Sequence, residues 1–159
     1  MRRDTLKTAV TAVILLVIAV TVLFALVPRG HRLILRDPDT GRAYASYPMA
    51  EGEEFSVSFV HSINKTPYYD LYQIRQERIW VTGLRYYSFG AGVPEELDPA
   101  WTLTLLPDGG MLVTGLDMPL DNIVYRVGTV YDHFLHLPDQ DVNLTLLCGR
   151  SSRVELVYR

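Results

Sequence analysis

The stretch EFSVSFVHSI, Glu54 to Ile63, leaves the chain few ways to fold. Phe55, Val57, Phe59, His61 and Ile63 occupy the odd positions, and Ser56, Ser58 and Ser62 the even ones. A helix would scatter both sets around its circumference. A β-strand turns successive side chains to opposite faces and so gathers each set on its own side. The stretch therefore reads as a strand with one apolar face, and His61 stands on that face.

The same period of two runs through the rest of the chain after residue 31, broken by the turn-rich segments RDPDTGR, NKTP, PDGG, DMPLDN, LPDQD and GRSS. Strands are expected at Arg32–Arg36, Arg42–Tyr47, Glu54–Ile63, Tyr68–Val81, Trp101–Leu106, Met111–Leu116, Ile123–Val127, Val142–Cys148 and Arg153–Tyr158. No sustained helical period competes with them. LLPDGGML is the clearest hairpin, because Pro107 fixes φ and Asp108, Gly109 and Gly110 suit a turn. The expected fold class is all-β, a sandwich or small barrel of about nine antiparallel strands.

One segment stands apart. Thr8 to Val27 is a run of 20 residues without a charge, which as a helix spans roughly 30 Å, the thickness of a bilayer core. It is longer than the apolar core of a secretory signal and ends FALVPRG without a small-x-small cleavage pattern, so an uncleaved transmembrane helix is expected. Arg2, Arg3 and Lys7 precede the run and Arg29 and Arg32 follow it, a small bias that points the N-terminus into the cytoplasm. The chain then divides into a cytoplasmic N-terminus at 1–7, an anchor at 8–27 and an extracytoplasmic domain at 28–159, giving a single-pass protein of the cell membrane. After Val27 there are 12 Lys and Arg against 17 Asp and Glu, a formal charge of −5. Such a surface does not attract phosphate backbones, and nucleic acid is not expected as a partner. The lone cysteine, Cys148, cannot form an intrachain disulfide and reads as a small hydrophobe on a strand face with Val142, Leu144 and Leu146.

The candidate chemistry gathers around His61. If Asn64–Pro67 is a four-residue hairpin loop, Ile63 pairs with Tyr68 and His61 comes opposite Asp70, a pairing that would orient the imidazole. That arrangement serves catalysis, metal ligation or plain stability equally well. Ser62 follows His61 directly, but neighbours on a strand point to opposite faces, which disfavours a nucleophile–base pair. A metal site from His61, Asp70 and His133 lacks a spaced ligand motif, and His136 reads as a surface or loop residue. A further loop, SFGAGVPEEL, carries Gly90, Ala91, Gly92 and Pro94. It fits neither a Walker loop nor a dinucleotide fingerprint, and reads equally as a tight loop needing positive φ or as a backbone-lined rim that a small ligand can approach. Tyr68, Tyr69, Tyr72, Tyr86 and Tyr87 could wall the pocket.

Taken together, FVHSINKTPYYDLYQI, YYSFGAGVPEEL and GTVYDHFL resemble a family of small extracytoplasmic proteins known as domain of unknown function 1850. The resemblance covers most of the chain after the anchor. It places His61, Ser62, Pro67, Asp70, Gly90, Ala91, Gly92, Pro94 and His133 at motif positions. Where many members carry Glu in the acidic segment, this chain has Tyr69 and Asp70. The resemblance implies an accessory of TRAP-type solute importers of the TAXI class, with transporter subunits and a small-molecule solute as partners and no established activity. The expected ligand-binding residues are His61, Ser62, Asp70, Gly90, Ala91, Gly92, Pro94 and His133, with no catalytic residue, metal or cofactor assigned. Two alternatives stay open: a metal-assisted or serine hydrolase using His61, His133 and Ser62, and a structural scaffold.

Overall fold

Alternating strands bury their apolar faces by stacking one sheet on another. The structure, a computed structural model, describes residues 30–88 and 98–159. Among these, eleven strands and one short helix follow in order: β1 (Arg32–Arg36), β2 (Ala43–Pro48), β3 (Glu54–Val60), β4 (Pro67–Arg75), β5 (Arg78–Tyr86), β6 (Thr102–Leu105), β7 (Met111–Leu120), β8 (Ile123–Arg126), β9 (His133–His136), β10 (Asp141–Asn143), α1 (Leu144–Cys148) and β11 (Arg153–Tyr158). A four-stranded sheet has the order β2-β1-β11-β8, and a seven-stranded sheet the order β10-β9-β3-β4-β5-β7-β6. All neighbours are antiparallel. One core joins both layers, with Leu33, Leu35, Val154 and Leu156 from the smaller sheet and Val57, Ile74, Val113 and Leu135 from the larger, each almost wholly buried.

The fold is thus an all-β sandwich. The predicted anchor at 8–27 and the cytoplasmic residues 1–7 lie outside the described residues, among which no helix is long and apolar enough to cross a membrane. The expected hairpin at Pro107–Gly110 is present: Leu105 pairs with Met111, and the Leu106 N–H donates to the Gly110 carbonyl at 2.7 Å.

Three elements differ from the expectation. Tyr68–Val81 is not one strand, because the chain reverses at Gln76–Glu77 between Arg75 and Arg78. Both turn residues have positive φ, 52° and 56°, the backbone of a two-residue hairpin turn that normally calls for Asn-Gly. The tolerance comes from elsewhere in the chain: the Glu51 carboxylate accepts the Gln76 N–H at 2.6 Å and the Glu77 N–H at 3.2 Å. Second, of the expected strand Val142–Cys148 only Val142 and Asn143 are extended, in β10, and Leu144–Cys148 is α1, so Cys148 shares no strand face with Leu144 and Leu146. The Asn143 side chain accepts the Leu146 N–H at 3.1 Å and caps α1, leaving Leu146 exposed and Cys148 half-buried. Third, His133–His136 forms β9, inserted beside β3.

A test of the turn follows from its strain. Replacing Gln76-Glu77 by Asn-Gly relieves two left-handed side-chain conformations while keeping both amides for Glu51. It is expected to stabilise the protein by about 0.5–2 kcal/mol in urea unfolding. The exposed His31–Glu77 ion pair lost in the swap, 3.7 Å long, contributes little. A loss of stability would contradict this account of the turn.

Candidate functional site

The site grows from the β3–β4 hairpin. β3 ends at Val60, and the loop is six residues long, His61–Thr66, not four. The His61 N–H donates to the Thr66 carbonyl at 2.9 Å, and the Lys65 N–H, on a residue at φ 53°, donates back to the His61 carbonyl at 2.8 Å. Pro67, lacking an N–H, opens β4 opposite Val60, a place where no ladder donor is needed. The register is therefore shifted by four residues from the expected one: Phe59 lies opposite Tyr68, Val57 opposite Asp70 and Phe55 opposite Tyr72. The expected cross-strand His61–Asp70 pair does not form. An even shift leaves every side chain on its original face, so Tyr68, Asp70 and Tyr72 still point into the sandwich.

Asp70 is met there from the other sheet. The Tyr125 hydroxyl, on β8, donates to Asp70 Oδ2 at 2.5 Å, and since its one proton is committed, the Tyr72 hydroxyl donates to the Tyr125 oxygen, also at 2.5 Å. The relay Tyr72→Tyr125→Asp70 joins the two sheets. Burial pushes the Asp70 carboxyl above its ordinary range, against the pull of the Tyr125 hydrogen bond. Burial likewise raises Tyr68, Tyr72 and Tyr125, with the Asp70 carboxylate adding to each. Tyr125 was missed from the sequence, because β8 and β4 are 55 residues apart and belong to different sheets.

His133 enters from β9, directly opposite Phe59, with the two rings stacked at 5.0 Å between centroids and 10° between planes. Its Nδ1 accepts the Gly128 N–H at 3.2 Å, which places the proton of the neutral ring on Nε2. Burial lowers its pKa and favours that neutral form. The chain runs so close here that a Cβ on Gly128 would lie 2.5 Å from the Tyr131 carbonyl oxygen, so a glycine is required.

These residues line an open cavity of about 410 Å³ formed by Phe59, His61, Tyr68, Asp70, Tyr125 and His133, with Arg126 at its side. A second recess of about 490 Å³ shares Phe59, His61 and His133 and extends to Ser62, Lys65 and Val130. The structure thus brings His61, Ser62, Asp70 and His133 around two adjoining spaces. His61 is a turn residue whose Nδ1 accepts the Asn64 N–H at 3.5 Å, and Ser62 is exposed. Among the described residues no hydrogen bond joins Ser62 to His61 or His133, and no three His, Cys, Asp or Glu side chains cluster as a metal would require. Gly90, Ala91, Gly92 and Pro94 lie outside the described residues.

On the opposite face of the larger sheet the structure assembles a run that sequence spacing did not reveal. The Ser58 hydroxyl lies 2.8 Å from His136 Nε2, and His136 Nδ1 lies 2.7 Å from Asp141 Oδ1. The carboxylate must accept from Nδ1–H, so Ser58 donates to Nε2. The distances are those of a Ser-His-Asp triad, but the burial is inverted: Ser58 is 8% exposed, whereas the Asp141 side chain is 68% exposed. Ser58 is also mid-strand, laddered to Tyr69 on one side and Phe134 on the other, so its own amide cannot serve a developing oxyanion. The run ties β3, β9 and β10 together. His136, expected at the surface or in a loop, is instead a half-buried strand residue at its centre.

The chain has no match among curated proteins, and none among solved structures. A family model, by contrast, aligns with more than half of it, from Phe55 to Leu144, a span that holds β3, β4, β8, β9 and all of the cavity residues named above. The chain belongs to the family described as Domain of unknown function (DUF1850).

Proposed function

We propose that the sandwich is a small-ligand-binding module, held outside the cell membrane by a single N-in helix at 8–27, and that it serves as an accessory to a TRAP-type solute transporter of the TAXI class. One observation carries the binding part. His61, Asp70 and His133, drawn from separate strands and a loop, converge on one cavity whose carboxyl has a hydrogen bond but no ion-pair partner among the described residues. Largely apolar walls with a few convergent polar groups are the usual make-up of a ligand site. Binding fits better than catalysis, since neither Ser62 nor Ser58 has the exposure and partners of a nucleophile. The transporter part rests on the resemblance of the motifs around His61, Gly90 and His133, and the anchor on the uncharged run at 8–27.

The test is native mass spectrometry of the full-length protein, gently extracted from its own membranes. Added mass from a small organic solute or from transporter subunits is the expected result. A bare chain, or one carrying only a metal ion, would sink the proposal.

A further inference from the structure

We propose that the cavity takes a small organic ammonium ion, with Asp70 as its counter-charge and the rings of Phe59 and Tyr68 as its walls. This rests on the ligand-binding reading above and adds the chemical class of the ligand.

A carboxyl removed from water is stabilised by a proton, by a cation of the protein or by a cation that arrives. None of the eight ion pairs among the described residues includes Asp70. The groups around it do not fill the role. Tyr68, Tyr72 and Tyr125 are held neutral by burial, and Tyr125 is already its donor. His133 is kept neutral by burial, with Nδ1 occupied by the Gly128 amide. His61 directs Nδ1 to its own loop, at the Asn64 amide. Arg126 lines the same cavity, but its Nη1 reaches toward the Ser151 carbonyl at 3.4 Å and makes no ion pair with Asp70. The position for a positive charge is therefore open.

What surrounds that position also favours a cation. His133, Phe59 and Tyr68 form a row of packed rings, with centroids 5.0 and 5.2 Å apart, an apolar wall that lowers the local dielectric and strengthens the pull of the carboxylate on a cation. Tyr125, itself held by Tyr72, fixes one carboxylate oxygen, leaving the other without a hydrogen-bond partner among the described residues, so the carboxyl is oriented before any ligand arrives. An anionic ligand would meet Asp70 with the wrong sign. A neutral one would leave the carboxylate uncompensated. Arg126 gives the rim one place for a carboxylate tail, should the ammonium carry one.

The experiment titrates the full-length protein at pH 7 with butylammonium, 1-butanol and butyrate, reading binding by NMR shifts of the His133 and Phe59 rings. Butylammonium should bind saturably and at least about tenfold more tightly than butanol or butyrate, and Asp70→Asn should abolish that preference without lowering the melting temperature. Phe59→Leu, a change that spares the carboxyl and alters only the wall, should weaken amine and alcohol by similar factors and leave the preference for the amine. Equal binding of amine and alcohol, preferred binding of butyrate, or full retention of the preference in Asp70→Asn overturns the cation assignment while leaving the cavity a ligand site. If no probe moves the two rings and the native protein also carries no solute, both readings fail.

Discussion

Asparagine at position 70 is expected to raise the melting temperature of the ligand-free protein at pH 7, by about 2–5 °C, although it removes the carboxylate that takes the Tyr125 hydrogen bond between the sheets. The reason lies in linkage. Burial raises the Asp70 carboxyl above its unfolded value, so the folded chain holds its proton more tightly than the unfolded chain does. A group shifted in that direction contributes most below its unfolded pKa, near 3.9, and the contribution is lost as pH rises through the folded value. At pH 7, far above the unfolded value, that contribution is reduced and the buried carboxyl is a cost. Asparagine keeps an oxygen for the Tyr125 hydroxyl and carries no charge, so the cost disappears. The gap between variant and wild type should narrow toward pH 4, where the unfolded chain also begins to hold the Asp70 proton. Thermal unfolding followed by circular dichroism across pH 4–8 measures this directly. A melting temperature that falls at pH 7 would make Asp70 a structural residue and remove the argument for a ligand charge. A rise would fit the common pattern in which a binding group is kept at the expense of stability.

Removing Tyr125's hydroxyl should do the opposite. Tyr125→Phe deletes the one side-chain hydrogen bond to Asp70 among the described residues and leaves the Tyr72 hydroxyl without its acceptor, two unsatisfied groups at a seam between sheets. A loss of about 1–3 kcal/mol is expected, visible as a fall in melting temperature of about 3–10 °C. The effect should shrink when Asp70 is already asparagine, because the orphaned partner is then neutral, and a double-mutant cycle reports the difference as a coupling energy. Additive losses would mean that the two side chains do not act together.

Which parts of this could be read beforehand follows from how far each signal reaches along the chain. The parity of Phe55, Val57 and Phe59 is local, and it placed these residues and Tyr68, Asp70 and Tyr72 on the inner face even though the hairpin register was wrong by four residues. The register depended on the loop, and NKTP concealed that His61, Ser62 and Ile63 leave the strand, because their alternation runs on after the ladder stops. The turn at Gln76–Glu77 carries no glycine, asparagine or proline, and its stabilising carboxylate is 25 residues upstream, so no local pattern marks it. β9 and α1, four and five residues long, are too short for either period to declare itself. The Tyr125–Asp70 contact and the Ser58–His136–Asp141 run join residues across sheets and strand neighbours that only topology determines. His133 was named from a motif, but its place beside Phe59 required knowing that β9 inserts next to β3.

The smaller sheet has the order β2-β1-β11-β8, so its two middle strands are the first and the last of the sandwich, and Arg32 and Arg159 exchange backbone hydrogen bonds at 2.7 and 3.1 Å. During synthesis, then, β1 emerges more than a hundred residues before the strand it must pair with, and Leu33 and Leu35 wait without their cover. Contacts this distant in sequence make for slow closure. β8, which carries Tyr125, is attached to its sheet only through β11, so the floor of the cavity is completed by the last strand to be made. The pocket cannot be present in a nascent chain: it appears only when the whole sandwich has closed.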